Sequence, residues 1–277
     1  MPTPESHQRV VSLAHLSLIE SEPARFIGIA FRAGFDHVDL RLSPATRTDR
    51  VYTPQERIRL CRTLQPVLQE SGMRIWDVEI VRINELTQVK DHLPLLEAAA
   101  LLGARRVKVV CDSDEHSLIA GKLAVLCELS APLELTIDLE YMVFSGVKSL
   151  KAALQIVKAA NQPNLKVLVD ALHWMRASDT PAQIAGGQQD LGYLQLCDGP
   201  QEAPIGRELL IQEARTARLP PGKGQFPLRS LLRAMPAQCV LSVEVPLPPG
   251  QEPQAHAQQL LQATRAIIAG QNHEPAL

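Results

Sequence analysis

Short runs rich in β-branched residues alternate with longer amphipathic stretches along the chain. Eight runs read as strands: VVSLA near Val10, HVDLRL near Val38, MRIWDVEI near Ile75, RRVKVV near Val107, LELTIDLE ending at Glu140, LKVLVD ending at Asp170, YLQL ending near Gln195, and CVLSVE ending at Glu244. Helical periodicity fills the intervals. Pro54–Glu70 starts behind Thr53, a natural N-cap, with Pro54 at the first helical position. It keeps Ile58, Cys61, Leu64 and Leu68 on one face and stops at Gly72. Leu95–Leu102 stops at Gly103, and Ser149–Ala160 stops near Asn161 and Pro163. Strands recurring every 25 to 45 residues or so, each followed by helical pattern, predict parallel βαβ units. Eight such units close into a (β/α)₈ TIM barrel, an α/β fold, more naturally than they form an open sheet. The first strand is not followed by GxGxxG, the dinucleotide fingerprint of open sheets. The expectation is a single domain over residues 1–277, with strands from about residue 9, a terminal helix over 252–269 and a short flexible tail over 271–277. The longest loop runs from Cys197 past Gly224, and the Pro-rich stretches Leu219–Pro227 and Val245–Pro253 read as rigid loops.

Composition narrows the partners. The chain has 277 residues, 45% hydrophobic and 21% charged, ordinary values for a globular protein that buries its own core. Its net charge is −2 with no Lys/Arg block, which argues against nucleic acid as a partner. Five scattered cysteines without a CxxC pair fit neither a disulfide scaffold nor a thiolate zinc site, and point to a reducing compartment. No apolar stretch is long enough to span a bilayer, and the N-terminus lacks the pattern of a secretory signal, so the expected location is cytoplasmic, away from membranes. A homodimer is compatible with such a barrel, although no apolar stripe in the sequence demands one.

Barrel active sites lie at the C-terminal ends of the strands. Strand five ends in Asp138-Leu-Glu140, strand six in Asp170, strand seven in Gln195-Leu-Cys-Asp198 and strand eight in Glu244. Strand two adds Asp39 and Arg41, and strand three adds Asp77 and Glu79. A single acid after a strand is ordinarily an N-cap or an ion-pair partner. Four consecutive strands delivering oxygen donors to one rim require more, because converging carboxylates repel each other and resist desolvation. A divalent cation resolves that conflict. Glu140, Asp170, Gln195 and Glu244 form an all-oxygen set suited to Mn²⁺ or Mg²⁺ rather than Zn²⁺. Asp138 is read as a structural acid beside them. His173, three residues after Asp170, falls within reach of a substrate oxygen, and Trp174 is either pocket wall or packing. Arg218, then Arg215 and Lys223, are the anion-binding candidates of the long loop, with Arg215 alternatively paired to Glu213 or Glu208. Arg41, Arg82 and Glu79 are near enough in the barrel scheme to meet substrate.

At these residues the chain resembles the xylose isomerase-like barrel superfamily of sugar phosphate isomerases and epimerases. The resemblance is carried by LEYM with Glu140, VDALHW with Asp170 and His173, LQLCDGP with Gln195 and Asp198, RLPPGKGQFPL with Arg218, and SVEVP with Glu244. It covers roughly Leu133–Pro246 well and the earlier part only in rhythm. It implies that Glu140 and Glu244 both bind metal and exchange protons with a substrate carbon. Asp170 and the strand-seven residue would complete the metal shell, with His173 and Arg218 contacting substrate. Epimerases of this kind often carry histidine where Gln195 stands, and some carry a glutamate where Gly146 stands. Glutamine at that strand-seven position also resembles bacterial 3-dehydroshikimate dehydratases.

The expected function is therefore a divalent-metal-dependent sugar (phosphate) isomerase or epimerase of carbohydrate metabolism. It would abstract a proton next to a carbonyl and stabilise the resulting enediolate. The alternatives are a metal-dependent dehydratase acting on a keto-acid such as 3-dehydroshikimate, with His173 as acid, and a catalytically inactive barrel with a binding role.

Overall fold

The computed structural model describes residues 9–46 and 49–270, so the tail expected over 271–277 lies outside it. Eight parallel strands close on themselves in chain order: β1 (Val11–Ala14), β2 (His37–Arg41), β3 (Arg74–Ile83), β4 (Arg106–Cys111), β5 (Thr136–Glu140), β6 (Leu165–Asp170), β7 (Leu191–Leu196) and β8 (Leu241–Val243). The expected (β/α)₈ barrel is what forms. Beyond β8, Glu244 continues the ladder by donating its N–H to Leu196 O at 3.1 Å. No helix among the described residues is long and apolar enough to cross a membrane.

Local signals set the helices. Thr53 and Glu56 form a reciprocal capping box in front of Pro54–Ser71, which ends at Gly72, and Ser149 caps Leu150–Ala160. The terminal helix runs Pro253–Gly270, one residue later than expected at each end. Two expectations need correction. Ile58 is exposed, because the buried stripe of its helix passes through Arg57, Cys61 and Leu64 instead. Arg57 earns its place there by reaching Tyr52 O at 3.3 Å and Leu42 O at 3.4 Å. The long segment after β7 is not loop throughout, since Arg207–Thr216 forms a helix inside it.

Strand residues alternate between two environments. One phase, including Leu13, Leu40, Val109, Leu139, Val169, Leu194 and Val243, packs outward into the apolar layer beneath the helices. The other phase fills the barrel, and it is largely polar. At the bottom, Leu168, Tyr193 and Val240 plug the interior with Trp76 and Val10 packed against them. Beside this plug Arg106 forks onto Asp138, with Nε at 2.6 Å and Nη2 at 2.7 Å from its two oxygens. Asp138 is thus the structural acid expected. Gly192 makes the pair possible, for a Cβ there would lie 1.9 Å from Asp138 Oδ1.

One layer up, Asp39 accepts from Ser12 Oγ at 2.6 Å and from Ser242 Oγ, and Asp77 accepts from the Tyr193 hydroxyl. Burial raises Asp39 to about 7 against the opposing pull of those two serines. The unfolded chain gives up this proton near pH 4 and the folded chain holds it to about 7. Stability is therefore lost as pH rises between those values, by about 1.4 kcal/mol per pH unit from this group. Asp39→Asn keeps the shape without the titration. Urea unfolding at pH 4.5 and pH 7.5 will show the variant gaining on the parent protein at the higher pH; a pH-independent difference would contradict the assignment.

Candidate metal centre

The upper mouth of the barrel gathers the residues singled out at the strand ends. Strand pairing sets Asp170 beside Gln195, and Glu140 beside Val110. Gln195 Nε2 donates to Glu244 Oε1 at 3.1 Å. Glu140, Asp170 and His173 each offer a ligand atom, all within 4.8 Å of one another. The four residues expected to share an ion thus converge, and His173 joins them. Asp170 has two tasks. Its Oδ1 caps the helix Ala171–Arg176 by accepting from the N–H groups of Leu172 (2.7 Å) and His173 (3.1 Å), which fixes where His173 projects. Its other oxygen turns to Arg218.

Arg218 reaches this place because the loop carrying it is pinned. Asp198 accepts from the N–H groups of Gly199 (2.8 Å), Gly222 (2.9 Å) and Phe226 (3.0 Å), and its backbone pairs with Leu219. Arg218 then bridges two acids, with Nη1 at 2.6 Å from Asp170 and Nη2 at 2.9 Å from Glu244. Nε donates to Ala214 O at 2.7 Å. Arg218 lines the cavity, but its guanidinium is already engaged with the acids rather than held free for an anion. Arg41 is similarly held, with Nη2 at 2.7 Å from Glu79. Glu79 is covered by Arg41 and Lys108 and does not line the cavity, so the substrate contact expected of it is not open in this structure. Arg82 lines the cavity while paired with Asp112 at 2.6 Å. Arg215 lines it too, and Glu213 pairs with Arg176 at 2.9 Å rather than with Arg215. Lys223 is exposed and away from the cavity, and Trp174 is buried in the apolar layer.

Lys108 was not anticipated. On β4 it pairs with Asp138, one side-chain layer beneath Glu140, and its stem rises along the barrel axis. Nζ ends 3.2 Å from Glu79, 3.4 Å from both Glu244 and Gln195, and 3.9 Å from Glu140. The signal was present in RRVKVV: alternation puts Arg106, Lys108 and Val110 on one face, so an inward lysine sits mid-strand. Attention to strand ends alone passed over it. His15, after β1, was also missed; it stacks on Phe26 with ring centres 4.3 Å apart and lines the cavity.

The cavity above these groups holds about 650 Å³ and is walled on one side by Ile80, Met142 and Phe144. Burial raises Glu140 to about 7, with Lys108 opposing and the negative charges of Glu244 and Asp170 adding to the rise. Burial lowers His173 to about 4 despite the attraction of Asp170, so its imidazole is neutral at neutral pH. Burial opposes the charge on Lys108, yet Glu140, Glu244 and Glu79 outweigh it and hold the ammonium well above its ordinary value. Among the described residues, seven carboxyls (Asp39, Asp77, Glu79, Asp138, Glu140, Asp170, Glu244) and four cations (Arg41, Arg106, Lys108, Arg218) fill the barrel interior; burial favours the neutral forms of Asp39 and Asp77, which leaves five carboxyls to four cations. That excess, the oxygen donors of the ring and a buried His173 Nδ1 without a hydrogen-bond partner together fit a divalent cation. The imidazole adds one nitrogen donor to a set expected to be all oxygen, which brings borderline metals such as zinc within its range.

A sequence profile of the xylose isomerase-like TIM barrel matches residues 27–267. The chain belongs to that family. It is 28% identical over 231 residues to a 3-dehydroshikimate dehydratase of Pseudomonas aeruginosa, covering 80% of this chain and 35% of the dehydratase. The chain thus spans about a third of the length of that curated relative. Among solved structures, the barrel resembles the IolI protein with a bound zinc atom (TM-score 0.80, 16% identity, 95% of this chain and 99% of the other). It also resembles a D-allulose 3-epimerase from Methylomonas sp. (TM-score 0.69, 14% identity, 94% and 98%). At those identities the structural likeness concerns the fold.

Arg218→Gln leaves Asp170 and Glu244 buried without their shared cation. The metal-free variant should lose about 3–5 kcal/mol in urea unfolding. A loss below about 1 kcal/mol would show that the bridge is not holding the two acids.

Proposed function

We propose that this barrel is a divalent-metal-dependent lyase that dehydrates a hydroxylated keto-acid of the 3-dehydroshikimate type. The observation that carries this reading is the unequal setting of the two carboxylates facing the cavity. Glu244 accepts from Gln195 and Lys108 and is bridged by Arg218, so its charge is already spoken for. The nearest cation to Glu140 among the described residues is the more distant Lys108, at 3.9 Å, with Arg218 a weaker influence, and Glu140 sits among acids. One competent base suits an elimination, whereas epimerisation requires a proton donor and acceptor on opposite faces of one carbon.

In this scheme Glu140 takes the proton from the carbon next to the carbonyl. The freed electron pair becomes a C=C bond as the neighbouring C–O bond breaks, and the hydroxyl departs as water with the proton that Glu140 returns. His173, neutral and rigidly placed, donates an N–H hydrogen bond to the departing oxygen. Arg41, Arg82 and Arg215 line the cavity where a carboxylate would lie, and Ile80, Met142 and Phe144 exclude water from one side of it. Glu140, Asp170, Gln195 and Glu244, with His173 adjoining, would hold the cation, which when bound supplies a Lewis acid for the carbonyl. The Pseudomonas relative's activity, on a protein nearly three times as long as the matched part, supports the same class of reaction.

The second reading is a sugar or sugar phosphate isomerase or epimerase using both Glu140 and Glu244; it is favoured by both carboxylates reaching the same cavity. Gly146 counts against a further acid there, because a Cβ on it would lie 2.1 Å from Ser113 O.

With Mn²⁺ or Mg²⁺ present, 3-dehydroshikimate should give rising ultraviolet absorbance from a conjugated product, and Glu140→Gln should slow the rise about 10²- to 10⁴-fold. No rise with 3-dehydroshikimate, together with ketose interconversion and deuterium uptake from D₂O, would move the assignment to the epimerase.

A further inference from the structure

Lys108 is nearly inaccessible to solvent, yet it projects among the residues that would hold the cation. We infer that Lys108 is a tethered counter-ion of the metal ring, holding its acids in place when no metal is bound and limiting how tightly a divalent cation is held. This inference rests on the metal-dependent reading proposed above.

The contacts are uneven in an informative way. Glu79 gives the shortest, 3.2 Å, through the oxygen that Arg41 does not use. Gln195 and Glu244 follow at 3.4 Å and Glu140 at 3.9 Å. The ammonium is therefore moored to Glu79 below while it faces the ring above. A cation bound by Glu140, Asp170 and Glu244 would repel it, and the mooring gives it somewhere to go. Glu79 is the retreat that lets lysine and metal coexist. Without Lys108, Glu79, Glu140 and Glu244 would confront one another across the barrel axis with Arg41 and Arg218 only at the sides. A lysine that only closed an ion pair would need one acid; this one reaches β3, β5, β7 and Glu244 just beyond β8.

Charge predicts the sign of two substitutions. Lys108→Met removes the repulsion, so Mn²⁺ should bind about tenfold or more tightly. Glu79→Gln removes the mooring, turns the ammonium toward the ring and should weaken Mn²⁺ binding by a similar factor. Local damage would weaken both, so the opposite signs separate charge from packing. The test is calorimetric titration of the metal-free full chain with Mn²⁺, with thermal melts of each variant with and without the ion. Tighter binding by Lys108→Met, with a lowered metal-free melting temperature that Mn²⁺ restores, supports the inference. So does a variant that folds only with Mn²⁺, since the ion then replaces the ammonium. Equal or weaker binding by Lys108→Met overturns it and leaves the metal-dependent reading standing. If Lys108→Met folds under neither condition, Glu79→Gln decides, and equal or tighter binding by that variant overturns the inference. No binding of Mn²⁺ by the parent chain or either variant overturns both the inference and the metal-dependent reading.

Discussion

An excess of carboxyl groups over cations inside a closed barrel is the constraint around which this molecule is arranged. Seven carboxyls point inward and four basic side chains answer them. Unpaired ions are expensive away from water, so each acid has to share a proton, share a cation or accept hydrogen bonds. The structure uses all three. Asp39 and Asp77 are raised by burial and hydrogen-bonded to hydroxyls; Asp138 is matched by Arg106; Glu79, Glu140, Asp170 and Glu244 divide Arg41, Lys108 and Arg218 among themselves. Of the upper acids Glu140 has the most distant cation, Lys108 at 3.9 Å, and the added positive charge of a bound cation is most favourable beside it.

Layering turns this constraint into position. The bottom of the barrel is closed by aromatic and aliphatic side chains around the Arg106–Asp138 pair, with the Trp76 and Tyr193 rings over the guanidinium at 5.4 and 5.8 Å. That plug keeps water from the middle layer, so electrostatic interactions above it are strong and their geometry narrow. Three residues at the rim are held by other elements. Asp170 is held by the helix it caps, Glu244 by Gln195 and Arg218, and Arg218 by a loop gathered around Asp198. Such supports are what keep donor atoms in place for a cation to meet.

The same supports make the two cavity carboxylates chemically different. Glu244 is surrounded by donors and cations, whereas Glu140 sits among acids in a buried setting that raises it to about 7. The fold fixes where the groups stand, and their neighbours fix how readily each gives up a proton.

The barrel is legible in the chain, since eight β-branched runs with helical intervals leave few other closed arrangements, and so is the placing of Glu140, Asp170, Gln195 and Glu244 at strand ends, which the structure brings together at one mouth. The sequence also held the capping signals at Thr53 and Ser149, which act over three residues and need no tertiary partner. Which acid meets which cation is set by the closed fold. Lys108 meets Glu244 across 136 positions of chain, and Arg218 meets Asp170 across 48, so no local pattern announces either contact. Ile58 is exposed for a related reason: an amphipathic stripe shows which residues share a face, and the neighbouring elements choose the face that is buried. Charge pairing in a closed barrel is settled by stagger between strands, a property of closure rather than of any one segment.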